Sequence, residues 1–269
     1  MTAQSKSTGK KASANSASKE TPLATVLNNS NKDLAVSALA RITNDKQLAN
    51  VAINSKDKTL RGTALARITG EKWLVHVALK SDNETVRETA LARITAENWL
   101  ATIALESDDA TLRETALARI TDEKWLVRVA LKSDNETLRE TALARITDEE
   151  WLAYMLKSKD KTLRETALAR ITDDKWLSYV VIKSKDKTLR ETALARITDD
   201  MWLAYAAALG ATKTLRESAL GRITDESELA RVVLTNSANK TLRETALARI
   251  TDDKILRETA LYLLVMLPK

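Results

Sequence analysis

The chain has 269 residues, no Cys, no Phe, five Gly, two Pro, one His and a net charge of +6. The absence of Cys excludes disulfides, zinc–thiolate sites, iron–sulfur clusters and thiol catalysis, and so little Gly and Pro argues against many hairpins and irregular loops. Part of the charge is local: residues 1–20 hold Lys6, Lys10, Lys11 and Lys19 against Glu20, and the remainder is densely charged but nearly balanced, short of the excess expected of a strong nucleic-acid-binding face.

Residues 1–20 are rich in Ser, Ala and Lys and contain no apolar run. That composition predicts a disordered tail and lacks the apolar centre of a secretory signal. A cytoplasmic location is therefore expected. No later stretch approaches the ~20 apolar residues of a membrane span, so no membrane partner is expected. Residues 21–269 read as a single helical repeat domain. Thr21 and Pro22 look like an N-cap followed by Pro at the first helical position, opening an N-terminal capping unit over 21–42.

From there one phrase organises the chain. The Arg of A-L-x-R-I-T recurs at Arg41, Arg67, Arg93, Arg119, Arg145, Arg170, Arg196, Arg222 and Arg249, with spacings of 26, 26, 26, 26, 25, 26, 26 and 27. TLRETALARITD occurs verbatim from Thr111, Thr137, Thr162, Thr188 and Thr241. A unit of this length suits two helices of about eleven residues each. In the unit Thr121–Ile146, Thr121 is the expected N-cap and Asp122-Glu123 the acidic first turn that the helix dipole favours. Trp125, Leu126, Val129, Ala130 and Leu131 form a broad apolar surface, and Lys124, Arg128 and Lys132 a narrow polar stripe, as for a helix sandwiched in a stack. Ser133-Asp134-Asn135 breaks that helix and caps the next. There Leu138, Ala142, Leu143 and Ile146 face inward, and Arg139, Glu140 and Ala144 face outward. The short unit loses one residue near Met155, which predicts a shifted helix or a bulge. At the end, residues 251–269 merge the two half-phrases into one C-terminal capping helix.

The D-x-x-L-R of Asp160–Arg164 and Asp186–Arg190, followed by A-L-x-R, resembles the second helix of HEAT-like α-solenoid repeats. The comparison covers about residues 21–267. The units are of the short bacterial HEAT-like or leucine-rich-variant kind rather than about forty residues long. The resemblance implies an all-α fold, an α-solenoid built as a superhelical stack of eight to nine two-helix units. It also implies a scaffolding or binding role without catalysis.

The residues themselves offer no catalytic constellation, and no cofactor or metal is expected. His76 is the only His, and there is no phosphate-binding Gly-rich loop. The acidic pairs Asp122-Glu123, Asp173-Asp174 and Asp199-Asp200 read as helix starts. A catalytic pocket needs one nucleophile and one base, whereas a recurring phrase supplies the same groups many times.

Trp73, Trp99, Trp125, Trp151, Trp176 and Trp202 occupy one repeat position, replaced by Gln47 and Glu228 near the ends. Counted from a Thr cap, Ile146 and Trp151 have the spacing of a hydrophobic staple. Arg113, Arg139, Arg164 and Arg190 each precede a Glu and are expected to form surface ion pairs. The Arg of A-L-x-R is expected to pack its stem and bond a carbonyl or carboxylate.

What varies is one position on the polar stripe: Asn50, His76, Thr102, Arg128, Tyr154, Tyr179, Tyr205 and Arg231. Tyr and Arg are favoured in binding hot spots, so His76, Arg128, Tyr154, Tyr179, Tyr205 and Arg231 are the candidate residues for a protein or peptide partner. Two alternatives stand beside this reading. One is nucleic-acid binding through the Arg and Lys ladders and the basic tail; the other is a designed or consensus array with no natural ligand. The oligomeric state is not legible.

Overall fold

A computed structural model describes residues 21–235 and 239–266; the tail predicted over 1–20 lies outside the described residues. Among the described residues there are nineteen helices and no strand, and the fold is an α-solenoid of two-helix repeats. The described residues divide into two compact units, one up to residue 116 and one from residue 117. The first holds α1 (Pro22–Asn28), α2 (Lys32–Ala40), α3 (Asp45–Asn54), α4 (Lys58–Arg67), α5 (Glu71–Lys80), α6 (Glu84–Ala92) and α7 (Glu97–Glu106). The unit boundary falls in α8 (Ala110–Ala118). The second holds α9 (Glu123–Lys132), α10 (Glu136–Ala144), α11 (Glu149–Met155), α12 (Lys161–Arg170), α13 (Asp174–Lys183) and α14 (Lys187–Arg196). It continues with α15 (Asp200–Leu209), α16 (Lys213–Arg222), α17 (Glu226–Thr235), α18 (Lys240–Leu247) and α19 (Asp253–Met266).

Within each unit the packing is local. In the first, α3 packs on α4 and on α5, and α5 on α6 and α7. In the second, each odd helix from α9 to α17 packs on the even helix that follows and on the next odd one. The repeat of α9 and α10 shows why. Leu126, Val127, Val129 and Ala130 are buried on α9, and Leu138, Ala142 and Leu143 on α10. Ile146 is fully buried after α10. Each such Leu or Ile contributes about 2 kcal/mol by leaving water. No single helix can bury its own stripe, so stability comes from stacking.

The turns between paired helices are built by side chains. Ser133 ends α9, and its Oγ accepts the N–H of Asn135, whose own Oδ1 caps α10 at the Leu138 N–H. The Arg six residues beyond Ser133, Arg139, returns a guanidinium N–H to the Ser133 carbonyl. The same arrangement recurs at Ser55–Arg61, Ser158–Arg164 and Ser184–Arg190. At the amino end Thr21 caps α1 with Pro at its start, as the sequence predicts.

Three expectations are corrected. The cap of each first helix is not the Thr but the residue after it: Asp122, Asp148, Asp173 and Asp199 cap α9, α11, α13 and α15. The Thr is occupied elsewhere. Thr147 gives its N–H and hydroxyl to the Glu123 carboxylate of the preceding repeat, which also accepts the Asp148 N–H. Each Trp therefore stands one position nearer the cap than a staple with Ile would place it. Second, the Arg of L-R-E does not pair with the adjacent Glu, because neighbours in a helix point apart. Arg139 and Arg164 reach forward to the capping Asp160 and Asp186 of the next repeat, while Glu165 and Glu191 pair with Lys161 and Lys187 one turn back. Third, the missing residue produces no bulge. α11 stops at seven residues, and Leu156, Lys157 and Ser158 close it with successive tight bonds to Ala153, Tyr154 and Met155.

Candidate functional site

The six positions singled out by variation all lie on first helices of repeats: His76 on α5, Arg128 on α9, Tyr154 on α11, Tyr179 on α13, Tyr205 on α15 and Arg231 on α17. His76 belongs to the first unit. The other five belong to the second, where α9, α11, α13, α15 and α17 pack in succession. The stack thus brings those five into one row, a single residue per helix.

Each member rests on the residue three positions earlier, on the same helix face. Tyr154 meets Trp151 edge-on at 6.0 Å between ring centroids, and Tyr179 meets Trp176 at 5.9 Å. Tyr205 lies tilted on Trp202 at 5.4 Å. In the first unit His76 meets Trp73 edge-on at 5.9 Å. The Arg128 guanidinium sits 5.6 Å from the Trp125 ring, with the Lys124 ammonium at 5.1 Å. Where Glu228 replaces Trp, Arg231 forms a 2.8 Å ion pair with it. At these six positions the residue matches its neighbour, aromatic or cationic over Trp and cationic over Glu, whereas Thr102 after Trp99 instead gives its hydroxyl to the Asn98 carbonyl.

The aromatic members are presented to solvent. Tyr154, Tyr179 and Tyr205 are 45%, 38% and 41% exposed, and Leu209, one turn beyond Tyr205, is 58% exposed. The tryptophans beneath them are half-buried. Such pairs cost little side-chain freedom on binding, because two-angle aromatic side chains are already held. Cations flank them: Lys157 is 4.8 Å from the Tyr154 ring and Lys175 4.8 Å from the Trp176 ring.

Seven of the nine arginines of the A-L-x-R ladder bond carbonyls within the protein. In the second unit Arg145, Arg170, Arg196, Arg222 and Arg249 each donate to two carbonyls of the preceding repeat, for Arg145 those of Leu117 and Ile120. In the first unit Arg67 and Arg93 do the same. These carbonyls lie at helix ends, where intrahelical partners run out; the Leu carbonyls also accept the N–H of the Ile three residues on, as Leu117 does from Ile120.

The acid at the first position of α9 shows how tightly the joints are held. Burial alone would raise the Glu123 carboxyl, but the Thr147 hydroxyl, the Asp148 and Thr147 N–H groups and the Arg170 charge outweigh it and hold it below its ordinary value. Glu149 is depressed in the same way through Thr172, Asp173 and Arg196. This forward clamp was missed in the sequence; its trace is the invariant order of Thr, cap and acid in successive phrases.

Among the described residues no group of three or more acidic or His side chains is placed to hold a metal ion, and no helix is long and apolar enough to cross a membrane. No protein-family model matches the chain, and no curated protein matches it in sequence.

Proposed function

We propose that this protein is a non-enzymatic, cytoplasmic scaffold of the HEAT-like kind that binds a protein or peptide along the first helices of its second unit. The observation that carries the reading is the row of three exposed tyrosines on consecutive stacked helices, each braced by a tryptophan. Leu209 adds exposed apolar surface one turn beyond Tyr205 on α15, and Arg128 and Arg231 stand at the two ends of the row. Exposed apolar groups in one line mark interaction surfaces more often than scattered ones do. Aromatic and Arg anchors supply most binding energy at such surfaces.

Nucleic-acid binding through the arginine ladders is the weaker reading. The guanidinium groups of Arg67, Arg93, Arg145, Arg170, Arg196, Arg222 and Arg249 are spent on carbonyls, and those of Arg139 and Arg164 on two carbonyls and a carboxylate each. The recurrence of the phrase in structural joints supports a role without catalysis.

The test is partner recovery by the full chain from its native host, compared with a Tyr154→Ala/Tyr179→Ala/Tyr205→Ala variant. The expected outcome is loss of specific partners by the variant, with helical content and melting unchanged. Equal recovery by both proteins would remove this surface from consideration.

A further inference from the structure

The short, 25-residue repeat opens a second feature. Because α11 ends early, Leu156, Lys157 and Ser158 form a tight turn instead of a last helical turn. Beside that turn and the end of α13 lies a cleft of about 680 Å³, within the range of sites that hold small groups or side chains. Ala153, Leu156 and Val180 give it apolar surface, and Tyr179 also lines it. Its charged lining is Lys157, Arg164, Lys183, Lys185 and Asp186.

The balance of free charge there is positive. Asp186 is engaged by the Thr188 and Leu189 N–H groups and by Arg164. The neighbouring Lys161 and Lys187 are paired with Glu165 and Glu191. Lys157, Lys183 and Lys185 have no carboxylate within ion-pairing distance among the described residues. The loop sequence concentrates this charge. K-S-K-D-K stands at both 157–161 and 183–187, a net +2 each, where 80–84 and 132–136 read K-S-D-N-E, net −1, and 106–110 reads E-S-D-D-A, net −3.

The geometry points to a site for an oxyanion carried by a peptide, a phosphate ester or a carboxylate side chain, held by Lys157, Lys183 and Lys185 with Tyr179 at its wall. The inference rests on the peptide-binding reading above, because Tyr179 belongs to both the row and the cleft. It adds what that peptide must carry: a negative group placed beside residues that pack on the tyrosines. Ammonium–oxyanion contacts are charge-assisted, and at an exposed cleft they weaken with salt.

The experiment uses the full chain and a fluorescein-labelled acidic peptide bearing one phosphoserine, followed by anisotropy at low salt. Its unphosphorylated form and a labelled single-stranded oligonucleotide are run in parallel. The expected result is binding that weakens as salt rises and falls at least about tenfold in a Lys157→Ala/Lys183→Ala/Lys185→Ala variant. A phosphopeptide preference assigns the site to phosphate; equal binding of both peptides assigns it to carboxylate. A second variant leaves every charge in place: one Ala inserted after Met155 gives the x-A-L-K-S found at 77–81 and 129–133 and is designed to lengthen α11, and it is expected to weaken binding to a similar degree.

Equal affinity of wild type and the lysine variant, no binding of either peptide, or tighter lysine-dependent binding of the oligonucleotide would each overturn the proposal. The two readings fail separately. Tyr205→Ala/Leu209→Ala changes exposed residues of α15 that neither line the cleft nor touch its lysines, so unchanged partner recovery there with intact phosphopeptide binding removes the aromatic row alone. Lost recovery there with lysine-independent peptide binding removes the oxyanion site alone.

Discussion

At the scale of the residue, the protein is held by side chains that reach from one repeat to the next. Arg145 satisfies the Leu117 and Ile120 carbonyls, and the planar fork of Arg meets both at once. Arg145→Ala is expected to lower stability by about 2 kcal/mol, read from urea denaturation. Arg145→Lys should recover only part of it, since an ammonium on a flexible stem does not reproduce the fork. Glu123 gives a pH-dependent counterpart. Its carboxyl is held below the ordinary value of 4.5 in the folded protein, so the unfolded chain binds its proton more readily. Its stabilising effect is complete above that ordinary value and is lost as pH falls through the lower folded one. Glu123→Gln should therefore flatten the decline of melting temperature with acidification, while leaving the slope near neutral pH unchanged. An acid limb as steep as that of the wild type would count against the clamp.

At the scale of the element, most helices start on a side-chain cap, with Gly70 before α5 and Ala96 before α7 as exceptions, and the identity of the cap depends on what its neighbour does. Asp148 accepts the Glu150 N–H at the start of α11, and Asp148→Ala should cost about 1 kcal/mol, measured as a shift in the denaturation midpoint. Thr147→Ala probes a different bond, the one to Glu123, and should show its loss mainly through weaker coupling of adjacent repeats. The helices and their paired turns were legible from periodicity and from Ser-x-Asp/Asn spacing, because those signals act within a few residues. The cap assignment was not. Thr and Asp are both good caps, and only the acid of the preceding repeat, 24 residues away for Thr147 and Glu123, decides which is left free to do it.

At the scale of the whole molecule, stability is expected to accumulate repeat by repeat. Deleting Thr121–Ile146 should leave a folded protein with the same helical signal per residue. Its urea dependence should be less steep, in proportion to the surface removed. Non-cooperative melting of that deletion would contradict stacking as the source of stability. The candidate binding row belongs to this scale as well. No single repeat shows it; it exists because α11, α13 and α15 pack in succession and place Tyr154, Tyr179 and Tyr205 on neighbouring helices.

The sequence by itself determined the all-helical class, the repeat boundaries, the buried faces and the position at which the repeats differ, since each follows from patterns of a few residues read many times over. The tertiary structure decided what each recurring polar residue bonds to. Glu123, Arg139 and Arg145 all have eligible partners nearby in the chain, yet the first two reach forward and the third back into adjoining repeats. It also decided that Trp and the variable residue meet on one helix face, and that the loss of a residue near Met155 ends α11 in a tight turn beside a cleft rather than in a bulge. These outcomes rest on which groups stacking brings within bonding distance. A one-dimensional period does not contain that information.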